Sequence, residues 1–162
     1  MGQTKRAAPV CHSWFYKGTS SRIANLLDVS VRDLGKVLYF QDYIVVDPGD
    51  SPLREKQILS EEETRKYREV YADRVNIMIG AEAVRELLKK IQIEEDADRL
   101  MGEMRKSGSL QKRAKIIKRL KVLEAFRQSD NNPSWMILEV LPVIPPALRP
   151  LYPLVGGRFA TV

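Results

Sequence analysis

Between residues 105 and 127 the chain carries Arg105, Lys106, Lys112, Arg113, Lys115, Lys118, Arg119, Lys121 and Arg127 against one acid, Glu124. Lysine and arginine at this density can run along a phosphate backbone, releasing its counterions. A solvated helix face has the same composition, so charge alone does not choose. Lys112, Lys115 and Arg119 are expected on the helix face opposite the apolar residues of the same segment. A second candidate lies near the C-terminus, where prolines at 142, 145, 146, 150 and 153 lead to Gly156-Gly157-Arg158-Phe159. Proline fixes φ and donates no amide hydrogen, so a stiff, extended, largely apolar loop with a basic and aromatic tip is expected after a short buried strand that ends near Leu141.

Other chemistry is weaker. Cys11 and His12 are the only cysteine and histidine. They can form neither a closed zinc site nor an internal disulfide, and adjacent strand residues point to opposite faces, so a packed pair is expected rather than a nucleophile and its base. The acids at 61–63 and 94–96 fall at helix starts, where the helix dipole accounts for them. Gly156-Gly157 lacks the spacing of a phosphate-binding loop. No catalytic site is legible in these residues.

The elements that must position these groups are those of one modest domain, or of a piece of a larger one. The 162 residues are 44% hydrophobic and 30% charged, and no apolar run is long enough to span a membrane. The N-terminus has no apolar core of a secretory signal. A net charge of +6 favours a polyanionic partner, although acidic proteins would also suit it.

Residues 1–7 read as a flexible tail and 8–16 as a packed, extended segment. Ser20 or Ser21 caps a short helix through Ile23, Leu26 and Leu27, and Ser30 caps a second with Val31, Leu34, Val37 and Leu38 on one face. Tyr43–Val46 reads as a strand stopped by Asp47-Pro48-Gly49, pairing with a strand at Met136–Val140. Ser60 and Glu63 form a capping box for a helix to about Asp73, and 77–80 is a break before a helix over 81–91. Residues 96–106 and 110–128 form a helical hairpin about Ser107-Gly108-Ser109, with Ile116, Ile117, Leu120, Leu123 and Phe126 inward. The expected fold is α+β, mainly helical, as a single partial domain over 1–162 with a small sheet, a helical hairpin and a Pro-rich loop.

Taken in order, APVCHSWFYKGTSSRIANLLD, VLYFQDYIVVDPGDSPLREKQIL, MIGAEAVRELLKKI, KRLKVLEAFRQSDNNPSWMILEVLPVIPPALRP and GGRFAT resemble the N-terminal clamp and lid region of the bacterial-type DNA-directed RNA polymerase β′ subunit. The resemblance spans roughly residues 7 to 161. It implies that Lys17 and Arg32 face downstream DNA, and that Gln111 and Lys112 lie at the tip of a clamp hairpin, to which the basic row adds Lys115 and Arg119. It further implies a lid over 149–162, in which Arg149, Tyr152, Gly156, Gly157, Arg158 and Phe159 separate RNA from the RNA–DNA hybrid.

Departures accompany the resemblance. The family's zinc ribbon would precede residue 7, and a σ-binding coiled coil would follow residue 161. Ser13, Ser20 and Val155 replace the residues usual there. The NADFDGD motif that holds catalytic magnesium is absent, so a nucleotidyltransferase role is expected only within a complex. No cofactor is expected in this chain, although the whole enzyme implies Mg2+ and Zn2+. Expected partners are DNA, the hybrid, the α and β subunits, the remaining β′ segments and σ, in the cytoplasm with the nucleoid and away from membranes. The rival readings are a free-standing nucleic-acid-binding module and an interaction domain or decoy that engages polymerase partners without catalysis.

Overall fold

The computed structural model describes residues 2–16, 21–148, 151–153, 156–157 and 159–161. The fold is α+β and mainly helical. The chain divides into two compact units, Ala8–Leu138 and a smaller one of Met1–Ala7 with Glu139–Val162. Where a tail is expected, residues 2–11 form strand β1 (Gly2–Cys11), with most of its side chains exposed. Residues 8–11 fall in the segment expected to be extended, whereas the polar stretch before them carries no local sign of a strand.

In the larger unit a one-turn helix, α1 (Ser13–Tyr16), precedes α2 (Arg22–Leu27) and α3 (Val31–Leu38). The Ser21 hydroxyl accepts from Ala24 N–H at 3.3 Å and donates to the Phe15 carbonyl at 3.0 Å, fixing the entry to α2. Ser30 caps α3 in the same way through Asp33 N–H. Ile23, Leu26, Leu27, Leu34 and Val37 are buried, in keeping with the helical spacing.

Strand β2 (Tyr43–Asp47) is the centre of a three-stranded antiparallel sheet, flanked by β3 (Ile58–Leu59) and by β4 (Asn76–Met78), which follows α4 (Glu61–Tyr71). Ile44 lies opposite both Ile58 and Met78, and Val45 opposite Ile77. The expected pairing of this strand with 136–140 is therefore corrected, and the break expected at 77–80 holds a strand. The reason is that β2 is buried on both faces. Ile44 and Val46 join the core with α2 and α3, while Val45 packs with Leu53, Leu59, Val75 and Ile77. The Ser60–Glu63 capping box starts α4 as its sequence predicts.

Helix α5 (Gly80–Lys89) buries Ala83, Val84, Leu87 and Leu88. It begins at a left-handed Gly80, φ +80°, where an added Cβ would meet the Phe40 ring at 2.6 Å. Phe40 is itself left-handed, with φ +60°. Helices α6 (Ile93–Lys106) and α7 (Leu110–Ser129) form the hairpin, with Ala97 and Leu100 buried on one arm and Ile116 and Leu123 on the other. Ile117 is exposed, because it lies about 100° round the helix from Ile116.

The last strands are β5 (Ile137–Val143), paired with β1, and the antiparallel pair β6 (Leu151–Pro153) and β7 (Phe159–Thr161). The expected short buried strand is corrected: only Ile137 of β5 is buried, and the strand runs through Pro142. A strand paired along one edge can turn proline's missing donor to the free side.

Candidate nucleic-acid interface

The hairpin arms use charge differently. Helix α6 starts with Glu94, Glu95 and Asp96 and ends with Arg105 and Lys106, matching the helix dipole at both ends. Its Arg99 pairs with Asp96 at 2.7 Å. Helix α7 has no acid in its first turn. At the tip, Arg113 Nε donates to the Ser107 carbonyl at 2.6 Å, tying the second arm to the end of the first. Gln111 and Lys112 follow the tip and are exposed.

Lys115, Lys118 and Lys121 are also exposed and recur every third residue, spanning about 9 Å along α7. Among the described residues no carboxylate lies within ion-pair distance of them, whereas Arg127 reaches Glu124 at 3.7 Å. With Lys112 these are exposed cations of α7, and of the expected Lys112, Lys115 and Arg119 only Arg119 is half-buried instead.

Arg119 does not face away from the apolar stripe. It follows Ile116 by three residues and precedes Leu123 by four, so it shares their side. Half-buried, it donates from Nε to the Leu26 carbonyl at 3.1 Å, one of the carbonyls left unpaired at the end of α2. Lys112 has the same azimuth but lies beyond the last buried residue of the arm, and it stays exposed. Sequence spacing contains this distinction once the stripe is centred on Ile116 and Leu123.

Arg32 is exposed in the first turn of α3, while Lys36 of that helix is engaged with Asp42 at 3.3 Å. Arg32 thus belongs to a different element from residues 111–121. Lys17, Arg149 and Arg158 lie outside the described residues. Of Tyr152 and Phe159 the backbone is described: Tyr152 stands opposite Ala160, and Phe159 opposite Pro153. Gly156 and Gly157, φ +98° and +76°, lie between these strands. The expected extended loop is here an antiparallel strand pair.

Cys11 is half-buried, and burial pushes its thiol up to about 11, which removes the thiolate a nucleophile needs. His12 packs its ring against Phe15 at 5.4 Å. Among the described residues no group of three His, Cys, Asp or Glu could hold a metal ion. No helix among the described residues is long and apolar enough to cross a membrane.

Sequence reading passes over a polar cleft of about 600 Å³ lined by Asp28, Arg54, Lys56, Arg99, Glu103 and Arg119, among others. Lys56 is half-buried in a left-handed turn, φ +66°, with its N–H donating to the Val45 carbonyl at 2.8 Å. Burial, and then the Arg119 charge, lower its pKa.

A family described as RNA polymerase Rpb1, domain 1, matches residues 1–161. The chain is 53% identical over 161 residues to the DNA-directed RNA polymerase subunit β′ of Geobacillus kaustophilus, covering 99% of this chain and 13% of that protein. Identity to the same subunit of Caldicellulosiruptor saccharolyticus is 55% over 165 residues, covering 99% of this chain and 14% of that one. For Burkholderia multivorans it is 52% over 161 residues, with coverages of 99% and 11%. The chain thus spans about an eighth of the length of these relatives.

Proposed function

The chain belongs to the family of RNA polymerase Rpb1, domain 1, and from this premise we propose that it serves in DNA-templated transcription as a β′ segment that grips duplex DNA. The observation that carries this reading is the row Lys115, Lys118 and Lys121: three exposed cations on one helix, without an ion pair among the described residues. Helical lysines that pair with no carboxylate are available to phosphates, and their contacts hold DNA without reading its sequence. Gln111, Lys112 and Arg32 add exposed polar and cationic contacts. Arg119 braces α7 against α2.

In the same reading the strand pair β6 and β7, with Gly156-Gly157 between them, is the lid that divides RNA from the hybrid. Two short paired strands are a stiffer frame for such a task than an unpaired loop. Catalysis and its magnesium, together with zinc, belong to other parts of the enzyme, and α, β, the rest of β′ and σ are the protein partners. The setting is the cytoplasm, with the nucleoid.

The test is a polymerase assembled with Lys115→Glu, Lys118→Glu and Lys121→Glu, its retention of duplex DNA measured against salt. The slope of log affinity on log salt should fall by roughly 3, at about 0.9 for each phosphate that is no longer neutralised. An unchanged slope would remove this helix from the DNA surface.

A further inference from the structure

We propose that the cleft between the end of α2, the 54–57 turn, α6 and α7 is a binding site for a single phosphoryl group carried by a nucleotide, with Arg119 and Lys56 as its ligands. The site is independent of the DNA-gripping role, since the lysine row of α7 lies on other positions of that helix.

Arg119 sets the geometry. Its Nε is occupied by the Leu26 carbonyl, which fixes the guanidinium plane at the wall of the cleft. The two Nη groups have no carboxylate within ion-pair distance among the described residues. Lys56 is brought to the same cleft by a turn that is itself pinned. Arg54 N–H donates to Gln57 Oε1 at 3.0 Å, and Lys56 N–H is held by Val45 of the central strand. Lys56 likewise has no ion-pair partner among the described residues, and its left-handed backbone is a strained way to place a lysine.

Burial and then the Arg119 charge disfavour the Lys56 ammonium, opposed in part by Glu55, Asp28 and Asp96, and an anion seated against both cations of the cavity would favour it further. A forked guanidinium beside a point-like ammonium matches a phosphoryl group. Asp28, Glu55 and Glu103 also line the cavity. They would repel a dense polyphosphate and can accept from hydroxyl or amino groups, which narrows the ligand to one phosphate with a sugar or base attached. A volume of about 600 Å³ accommodates such a unit.

The phosphoryl group could come from a free mononucleotide or from a nucleic acid strand. Amide and arginine side-chain NMR of the full 162-residue chain, titrated in turn with adenosine 5′-monophosphate, inorganic phosphate and a short single-stranded oligonucleotide at matched ionic strength, separates these. Saturable shifts at residues 28, 54–57 and 119 with the monophosphate, tighter than with inorganic phosphate, support a free-nucleotide site. The same shifts with the oligonucleotide alone assign the phosphate to a strand. Lys56→Gln should weaken either ligand about tenfold while leaving the Arg119–Leu26 bond intact. Absence of saturable shifts at these residues, or equal affinity in the folded Lys56→Gln chain, overturns the proposal.

Discussion

The two arms of the hairpin are adjacent and both rich in charge, yet they spend their cations on different tasks. In α6 the acids open the helix, the bases close it, and Arg99 is bonded to Asp96 one turn away. Its charge is consumed in stabilising itself. In α7 the basic residues exceed what the helix needs, and four lysines, 112, 115, 118 and 121, stay on the outside without an ion pair among the described residues. A charge count therefore says little about binding, and the informative quantity is the charge left over after helix dipole and ion pairs are satisfied.

The largest effect on this contrast should come from removing what both arms share. Leu123, 1% exposed, belongs to the core against which the arms pack, and Leu123→Ala should destabilise the chain by about 2–5 kcal/mol in a denaturant titration. A much smaller loss would mean that α7 stands free of the core. Next is Arg119→Ala, which removes the bond to Leu26. A cost of about 1–2 kcal/mol in the same titration is expected, with the salt dependence of duplex-DNA binding unaltered. A changed salt slope would restore Arg119 to the DNA surface.

Its neighbour should behave in the reverse way. Lys118→Ala should leave stability within about 0.5 kcal/mol, while the salt slope measured on duplex DNA falls by roughly 1. The smallest effect belongs to the other arm: Arg99→Ala breaks an exposed pair and should cost about 0.2–1 kcal/mol, weakening further as salt is added to the melt. A loss above this range would give α6 a structural charge that its exposure does not suggest.

Sequence captured the parts of this fold that are local. Ser21, Ser30 and Ser60 cap helices where their hydroxyls predict, and Asp130 ends α7 in the left-handed conformation after a run that turn residues close. What it did not capture depends on partners distant in the chain. Strand β1 is mostly exposed and its polar and apolar residues fall in two blocks, so neither alternation nor burial marks it, and its pairing with β5 makes it a strand. The partners of β2 are two- and three-residue strands, too short to show a period. The candidate surface was half legible. The basic segment stood out by composition, but separating Lys118 from Arg119 requires the centre of the buried stripe to be known, and an apolar Ile117 on the wrong side blurred it. The cleft was invisible because Lys56 and Arg119 come from segments that only the folded core brings together.

The contact between Gly80 and Phe40 has a consequence for how this sequence can change over generations. Replacing Gly80 alone forces a side chain into the Phe40 ring and into an unfavourable φ at once. After Phe40 is reduced to a small residue, the steric half of that penalty vanishes and only the backbone half remains. The two sites are therefore coupled: a side chain at position 80 requires the exposed Phe40 ring to swing aside or to be lost, while the unfavourable φ stays either way.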